Sequence, residues 1–311
     1  MIEKDFYKGY YLITSKCNLS CSYCVLENSP EQLEQELSLP EKKNLISHLY
    51  HNLKFRSLTI SGGEPLLMGA DAPNEFKLLL DYLKQFKSTE PRDNLRIHLY
   101  TNGTYLTDSL ADKMKDIIDE VSINIDSTNN EVLKCIGRSK NKENYYLDSF
   151  LDACRVISKK GIPIKLHSVV SSLNYQSITT DSKIISDRLI NEDINFSSWK
   201  FYQYMSYDVK HVDMRHSITK DTFEIIKSEV SNALNGLAVN LHFKGNNEMK
   251  ESLFNILPYG NVQYMTPDDS WSTSKRTKSL LEYQSMAQFF SENSISEFLF
   301  KQYHSFDAKQ E

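Results

Sequence analysis

The sequence predicts an α/β protein in which a parallel sheet is covered by helices and is followed by a smaller α+β extension. Strand-like and helix-like segments alternate from residue 10 to residue 204, which is typical of parallel strands joined by helices. The alternation is lost in residues 206–311, and no internal repeat or low-complexity linker divides the chain. We therefore expect two regions, residues 1–205 and residues 206–311.

The apolar and alternating segments give the position of each element. Predicted strands occupy residues 10–14, 57–60, 95–100, 121–125, 162–170 and 199–204. Predicted helices occupy residues 41–53, 76–86, 106–118, 146–159 and 180–190, and the first of them begins behind Pro40. In the second region we predict a helix at 222–234, a strand at 237–243 and irregular structure afterwards. Six strands therefore precede residue 205.

The composition is that of one large folded unit. A chain of 311 residues with 40% hydrophobic content can bury a sizeable core, and a net charge of −5 does not favour a nucleic-acid polymer as partner. No apolar run approaches the ~18 residues that span a membrane, and residues 1–8 lack a secretion signal. Five cysteines, three of them in one short loop, do not suggest a disulfide framework. We expect a cytoplasmic protein with no membrane partner.

Cys17, Cys21 and Cys24 follow the first predicted strand at C-x3-C-x2-C spacing. Three thiolates are one ligand short of the four that complete a structural zinc site or most iron–sulfur clusters. A site of this kind keeps one metal position open for a substrate or cofactor. The alternative is a zinc knuckle that takes a nearby Asp or His as its fourth ligand. Cys135 and Cys154 fall in helical patterns, and we expect them to be buried and inert.

The cysteine spacing resembles that of the radical S-adenosylmethionine (SAM) enzymes. The resemblance implies a 4Fe-4S cluster held by Cys17, Cys21 and Cys24, with SAM chelating the one iron that lacks a protein ligand. It also implies an electron donor such as flavodoxin or ferredoxin, and cleavage of SAM to a 5′-deoxyadenosyl radical. The implied fold is a partial (β/α)6 barrel of the TIM type at 1–205, with the C-terminal α+β extension at 206–311 closing the active site.

Polar groups follow the second, third and fourth predicted strands, where parallel barrels place their chemistry. Gly62 and Gly63 allow close backbone approach, and Glu64 can accept a hydrogen bond from an ammonium group. In the radical SAM enzymes the residues at this position bind the methionine amine of SAM. Arg138 could pair with the methionine carboxylate or be a solvated loop arginine. Turn formation alone would explain several of the hydroxyl and amide groups that follow the third and fourth predicted strands. The residues predicted to bind SAM are Tyr23, Gly62, Gly63, Glu64, Thr101, Asn102, Asn124, Asp126 and Arg138.

Four residues on the fifth and sixth predicted strands form the expected substrate site. Lys165 and His167 lie on one face of the fifth strand. A lysine that faces a barrel mouth is costly without an anion, which favours a phosphate or carboxylate group in the substrate. His167 alone is more often a core histidine. Lys200 and Gln203 lie on or next to the sixth strand and are predicted to join the same pocket. No side chain is assigned a catalytic role.

From residue 121 onward the order of motifs resembles the viperins, the nucleotide-modifying branch of the radical SAM enzymes. The resemblance implies that a nucleoside triphosphate is converted to its 3′-deoxy-3′,4′-didehydro form in antiviral or antiphage defence. No amphipathic membrane helix precedes the barrel, which is similar to the soluble bacterial members. Besides the cysteines and Gly62 to Pro65, the resemblance rests on Asp126-Ser127, Glu131-Val132, Ile136-Gly137-Arg138, Asn174, Trp199-Lys200, Gln203, Met249-Lys250 and Lys278-Ser279.

Departures from the viperin pattern concern the expected phosphate contacts. Ser57 and Ser198 stand where the pattern suggests cations, and each lost cation removes a contact of about 1.5–3 kcal/mol. His167 stands where it suggests an asparagine, and Leu12 replaces a polar residue. Alternatives therefore stay open. The substrate could be another small anionic metabolite or a peptide, or the chain could be a nucleotide sensor without catalytic activity. Peptide-modifying enzymes usually carry further cysteines, and none follows Cys154.

Overall fold

Eleven strands form one sheet in the computed structural model, which describes residues 6–24, 26, 35–138, 146–266 and 268–307. Seven of these strands are parallel and lie side by side in chain order: β1 (Phe6–Leu12), β2 (Phe55–Ser61), β3 (Arg96–Thr101), β4 (Glu120–Asn124), β5 (Ile164–Val170), β6 (Ser198–Gln203) and β7 (Asn240–Lys244). Their carboxyl ends therefore lie along the same edge.

The sheet continues on the other side of β1. There β8 (Phe254–Ile256) pairs in parallel with β1, and β9 (Asn261–Tyr264) and β10 (Lys275–Ser279) follow in antiparallel pairing. The short β11 (Ser305–Phe306) pairs with the start of β1. Among the described strands, β7 and β10 end the sheet, and β7 does not pair with β1. The barrel is therefore open between β7 and the C-terminal strands that extend the sheet beyond β1.

Helices connect the parallel strands and cover the sheet. Those between strands are α1 (Leu39–His51), α2 (Asn74–Leu83), α3 (Asp108–Met114), α4 (Asn130–Ile136), α5 (Tyr146–Lys159) and α6 (Ile178–Asn191). After β6 the described residues form α7 (Lys210–His216), α8 (Lys220–Ala233), α9 (Asn246–Glu251), α10 (Met286–Asn293) and α11 (Glu297–His304). The start of α1 is fixed by the backbone N–H of Ser38, which donates to Glu41 at 2.7 Å, and by Pro40 in the first turn.

The apolar core extends from the first strands into the C-terminal region. Helix α5 packs against β4 and β5 and buries Phe150, Cys154 and Ile157, which share one helix face. On the last parallel strands, Phe201 of β6 stacks on Phe243 of β7 with ring centroids 5.1 Å apart. This contact joins the strand at residues 240–244 to the sheet built by residues 6–203.

The predicted α/β partial barrel with a C-terminal extension is confirmed, and two details differ from prediction. The strand predicted at 237–243 corresponds to β7, but the residues after it are not irregular, because they contribute β8 to β11, whose two to five residues are too short to show a period. Cys135, expected to be buried, is exposed, since Leu133 and Ile136 form the buried side of α4. The division at residue 205 stays a prediction. No described helix combines the length and apolar character needed to cross a membrane.

Candidate active site

The loop that carries the three cysteines leaves β1 and lies against the loop that follows β2. Gly63 N–H donates to Thr14 O at 2.8 Å, and Glu64 N–H donates to Lys16 O at 2.7 Å. A Cβ atom on Gly63 would lie 2.3 Å from Lys16 O, and one on Gly62 would lie 2.4 Å from Thr14 O. These approaches require glycine at both positions. The two glycines therefore fix where the cysteine loop begins.

The other side of the cysteine loop is held by the end of α4. Gly137 caps this helix with φ +92°, and a Cβ there would lie 2.0 Å from Ser20 O. Ser20 N–H donates to Gly137 O at 3.1 Å, and Ser22 N–H donates to Ile136 O at 2.8 Å. The backbone on both sides of Cys21 is thus hydrogen-bonded to residues that follow the fourth strand.

His216 of α7 also supports the cysteine loop, and the sequence did not reveal this role. Its ring is fully buried, and Nε2 lies 2.8 Å from Ser22 Oγ. Ser22 Oγ also donates to Ile136 O at 3.2 Å, so this hydroxyl connects α7 and the end of α4 to the cysteine loop. Burial lowers the pKa of His216 to about 4, so the ring is neutral at physiological pH. No motif singled out His216, because its partner lies 194 residues away.

The three thiols open into one cavity of about 350 Å³, which we call the thiol cavity. Burial raises the pKa of the Cys21 thiol to about 12, against the opposing effect of the Arg138 guanidinium. Among the described residues no three His, Cys, Asp or Glu side chains could hold a single metal ion. A 4Fe-4S cluster does not need them to meet at one point, because each thiolate binds a different iron. Other residues lining this cavity include Tyr23, Gly62, Gly63, Thr101, Asn102, Asn124 and Arg138.

Glu64 lies behind the wall of the thiol cavity. Its carboxylate is fully buried and accepts hydrogen bonds from Thr101 Oγ1 at 2.8 Å, Asn102 N at 2.8 Å and Leu66 N at 3.2 Å. Burial raises the pKa of Glu64 to about 7, although the three donors lower it. Contact of this carboxylate with the methionine amine stays a prediction. What the structure shows is a link between the loops after β2 and β3.

Asn102 connects the loop after β3 to the cysteine loop by hydrogen bonds. Its Nδ2 donates to Asn18 Oδ1 at 2.9 Å, and Thr104 Oγ1 donates to its Oδ1 at 2.6 Å. Thr104 Oγ1 in turn accepts from Asn18 Nδ2 at 2.9 Å. Asn18 and Thr104 were not predicted as site residues. The amide and hydroxyl groups after β3 therefore hold the segment between Cys17 and Cys21 in place.

Arg138 and Asp126 form a buried ion pair beside the thiols. The solvated-loop alternative for Arg138 is wrong, because the side chain is only 3% exposed. Its Nε donates to Asp126, and the Tyr23 hydroxyl donates to the same carboxylate oxygen. The backbone N–H of Val169 donates to the second oxygen at 2.8 Å, and Arg138 Nη1 donates to Tyr146 at 3.2 Å. The pair connects the loops after β4 with the strand end of β5.

A second cavity of about 320 Å³, the aromatic cavity, shares walls with the thiol cavity. Tyr100 and His167 pack with ring centroids 4.5 Å apart, and His167 and Tyr202 with centroids 5.5 Å apart. Burial, followed by the charges of Lys200 and Lys165, lowers the pKa of His167 well below its ordinary value, so this ring is neutral. The shared wall residues are Tyr23, Ser61, Tyr100, Asn124, Val169 and Tyr207.

The C-terminal region also contributes to the wall of the aromatic cavity. Tyr207 packs edge-on against Trp271 with centroids 5.1 Å apart, and Met249 and Leu253 extend the same wall. Sequence patterns did not indicate Tyr207 or Trp271 as pocket residues, because an isolated aromatic residue after the last clear strand has many possible positions. Closure of the active site by the C-terminal extension stays a prediction.

The predicted substrate residues are only partly brought together. His167 and Gln203 line the aromatic cavity, whereas Lys200 lines a neighbouring one. The predicted position of Lys165 at the barrel mouth is wrong. It is the second residue of β5, near the amino ends of the strands, and its Nζ pairs with Glu120 at 2.9 Å. Glu120 is therefore the anion that this lysine faces.

Comparisons with known proteins agree with this geometry. The family model described as "Radical SAM superfamily" matches residues 11–178, more than half of the 311 residues. A probable GTP 3',8-cyclase of Methanocaldococcus jannaschii is 30% identical over 53% of this chain and 50% of its own length. A GTP 3',8-cyclase of Aliarcobacter butzleri is 30% identical over 50% of this chain and 44% of its own. The chain thus spans about half the length of these curated relatives.

Solved structures show the same fold over nearly the whole chain. "Native anSMEcpe with bound AdoMet and Kp18Cys peptide" is 16% identical, with a TM-score of 0.66 over 94% of this chain and 83% of that one. SuiB of Streptococcus suis bound to its precursor peptide SuiA is 12% identical, with a TM-score of 0.65 over 96% of this chain and 66% of that one. At such identities the similarity is one of fold.

Proposed function

The chain belongs to the radical SAM superfamily, whose members use a 4Fe-4S cluster and SAM, and we propose that it modifies a nucleotide bound in the aromatic cavity. The observation that carries this proposal is the wall shared by the thiol and aromatic cavities, which includes Tyr23 and Asn124. A substrate in the aromatic cavity would lie directly beside the site of radical formation.

The residues of the thiol cavity fit the cofactors. Cys17, Cys21 and Cys24 would hold the cluster, and Gly62, Gly63 and Arg138 would surround the methionine part of SAM. When bound, the two cofactors supply a 5′-deoxyadenosyl radical. The guanidinium of Arg138 is held by Asp126, so it is oriented before a carboxylate arrives. The apolar and aromatic side chains around Tyr100 and Tyr207 keep water away from the reacting carbon.

The walls of the aromatic cavity suit a nucleoside. Tyr10, Tyr100 and Tyr202 offer ring faces and edges on which a base can stack, while neutral His167 and the Asn124 amide can hydrogen-bond ribose hydroxyls. Two curated relatives named GTP 3',8-cyclase, each 30% identical over about half of this chain, act on a nucleotide by name. This combination supports a nucleotide over a peptide.

For the reaction we propose dehydration of a nucleoside triphosphate to a 3′-deoxy-3′,4′-didehydro nucleotide, as in the viperins, with a role in antiviral or antiphage defence. Part of the motifs behind this resemblance lies at the site, since Asp126 and Gln203 line the aromatic cavity and Arg138 the thiol cavity. Cyclisation of GTP is the second candidate, favoured by the names of the relatives.

Mass spectrometry after anaerobic incubation tests the proposal. Reconstituted protein is given SAM, a reductant and each nucleoside mono-, di- and triphosphate in turn, with the Cys21→Ala variant as control. A nucleotide product lighter by one water, formed together with 5′-deoxyadenosine, supports dehydration, and a product without loss of water contradicts it. Nucleotide binding without consumption of SAM would identify a sensor, and 5′-deoxyadenosine without any altered nucleotide would contradict a nucleotide substrate.

A further inference from the structure

A third cavity of about 450 Å³ is lined by residues of β1, β6 and β7 and by Ser252, Tyr303 and His304 of the C-terminal region. Its wall includes Lys8 of β1, Lys200 of β6 and Lys244 of β7, and we call it the basic cavity. It shares Tyr10, Lys244 and Ser252 with the aromatic cavity. A molecule that fills the aromatic cavity could therefore extend into the basic cavity on the side away from the thiols.

The positive charge of the basic cavity is not balanced by its own walls. Within the described part of the chain, Lys8, Lys200 and Lys244 form no ion pair with a carboxylate. Lys244 Nζ donates to the hydroxyl of Ser252, and Lys200 Nζ lies 5.7 Å from the ring centroid of Tyr202. The acidic side chain on this wall is Glu248, which is exposed. The carboxylate of Glu120 also acts on Lys200, but it already pairs with Lys165. The three half-buried ammonium groups therefore outnumber the carboxylates that act on them.

The lysines also act on one another. Burial, followed by the charges of Lys244, Lys165 and Lys8, lowers the pKa of Lys200 to about 8. Burial and the charge of Lys8 lower the pKa of Lys244 as well, although Glu248 opposes them. Partly buried cations of like charge are costly to hold together unless an anion joins them. The arrangement therefore favours a ligand with several negative charges.

We infer that the basic cavity binds the phosphate groups of the substrate whose sugar and base occupy the aromatic cavity. The inference rests on the proposed nucleotide function and adds Lys8 and Lys244 to the substrate site. Of the lysines predicted from the sequence it keeps Lys200 and replaces Lys165. The sugar then lies between the phosphates and the thiol cavity, beside Tyr100 and Asn124, which places it where a radical would form.

Calorimetry with inorganic tripolyphosphate tests this site directly, without requiring turnover. The reconstituted holoenzyme with SAM is titrated as wild type and as the Lys8→Gln and Lys244→Gln variants. Lys183→Gln is the matched control, since the Lys183 side chain is exposed on α6 and pairs with Asp187. We expect at least tenfold weaker tripolyphosphate binding in each cavity variant, wild-type affinity in the control, and unchanged SAM affinity in all. Equal tripolyphosphate binding in all four proteins, or none in wild type, would overturn the inference.

Two further measurements separate the possible failures. A hexaglutamate peptide that binds more tightly than tripolyphosphate would overturn phosphate recognition in favour of carboxylates. If Lys8→Gln and Lys244→Gln convert a nucleotide with wild-type constants, the inference fails and the proposed function stands. If wild type binds tripolyphosphate through these lysines but converts no nucleotide, the anion site stands and the proposed function fails.

Discussion

The guanidinium of Arg138 donates from Nε to the carboxylate of Asp126, with only 3% and 0% of the two side chains exposed. Arg138 lines the thiol cavity and Asp126 lines the aromatic cavity. The ion pair therefore lies at the boundary between the proposed cofactor and substrate sites. Because the Tyr23 hydroxyl donates to the same Asp126 oxygen, the pair also orients the tyrosine between Cys21 and Cys24.

Arg138→Gln should destabilise the protein strongly, because it leaves the buried Asp126 carboxylate without its cation. Removing one partner of a buried pair costs about 3–5 kcal/mol. Anaerobic denaturant unfolding measures the loss, and Arg138→Gln combined with Asp126→Asn should recover part of it. Lys113→Gln, which breaks the exposed pair with Asp81, is the control and should have little effect. Equal stability of Arg138→Gln and Lys113→Gln would show that the buried pair is not a stabilising unit.

Glu64 should make stability depend on pH. Its pKa in the folded protein is raised to about 7 by burial, above the ordinary value of 4.5. Its stabilising contribution is therefore fully present below pH 4.5 and is lost as the pH rises through 7, by roughly 3 kcal/mol. Glu64→Gln cannot ionise, so its free energy of unfolding should fall less between pH 5 and 8 than that of wild type.

For Glu64, the informative measurement is how steeply the free energy of unfolding changes with pH. The absolute stability of Glu64→Gln also falls, because an amide N–H would face one of the three donors that now point at the carboxylate. Glu224→Gln on the exposed side of α8 is the matched control for loss of a carboxylate. Identical slopes for Glu64→Gln and wild type would mean that Glu64 does not change protonation in this range.

The sequence predicted best where residues close in the chain carry the signal. The thiol spacing and the Gly62-Gly63 turn are local patterns, and the structure places them side by side at one cavity. His216 and Trp271 could not be predicted, because their roles depend on contacts with residues far away in the chain. The position of Lys165 failed for another reason. Strand alternation gives the face of a side chain but not its height along the barrel.

Each of Cys17, Cys21 and Cys24 should be required for cluster assembly, because each thiolate holds a separate iron. Alanine at any of the three positions should abolish 5′-deoxyadenosine formation and reduce the iron retained after anaerobic reconstitution. Cys135→Ala is the matched control, since Cys135 is exposed on α4 and outside the wall of the thiol cavity. Full iron content in the Cys21→Ala protein would contradict the assignment.

Lys200 and Lys165 should differ in their effect on nucleotide use, although both were predicted to bind substrate. Lys200→Gln removes a cation from the basic cavity, so the nucleotide concentration for half-maximal turnover should rise about tenfold or more. Lys165→Gln should leave it nearly unchanged, because Lys165 already pairs with Glu120 at 2.9 Å.

Burial lowers the pKa of Lys200 to about 8, so wild-type kcat/KM for the nucleotide should decline above that pH as the ammonium loses its proton. The decline should be shallower in Lys200→Gln, which retains Lys244 as a titrating cation. Steady-state kinetics from pH 7 to pH 9.5 measure both effects, and a larger defect in Lys165→Gln than in Lys200→Gln would place the phosphates beside Lys165 and Glu120 instead of in the basic cavity.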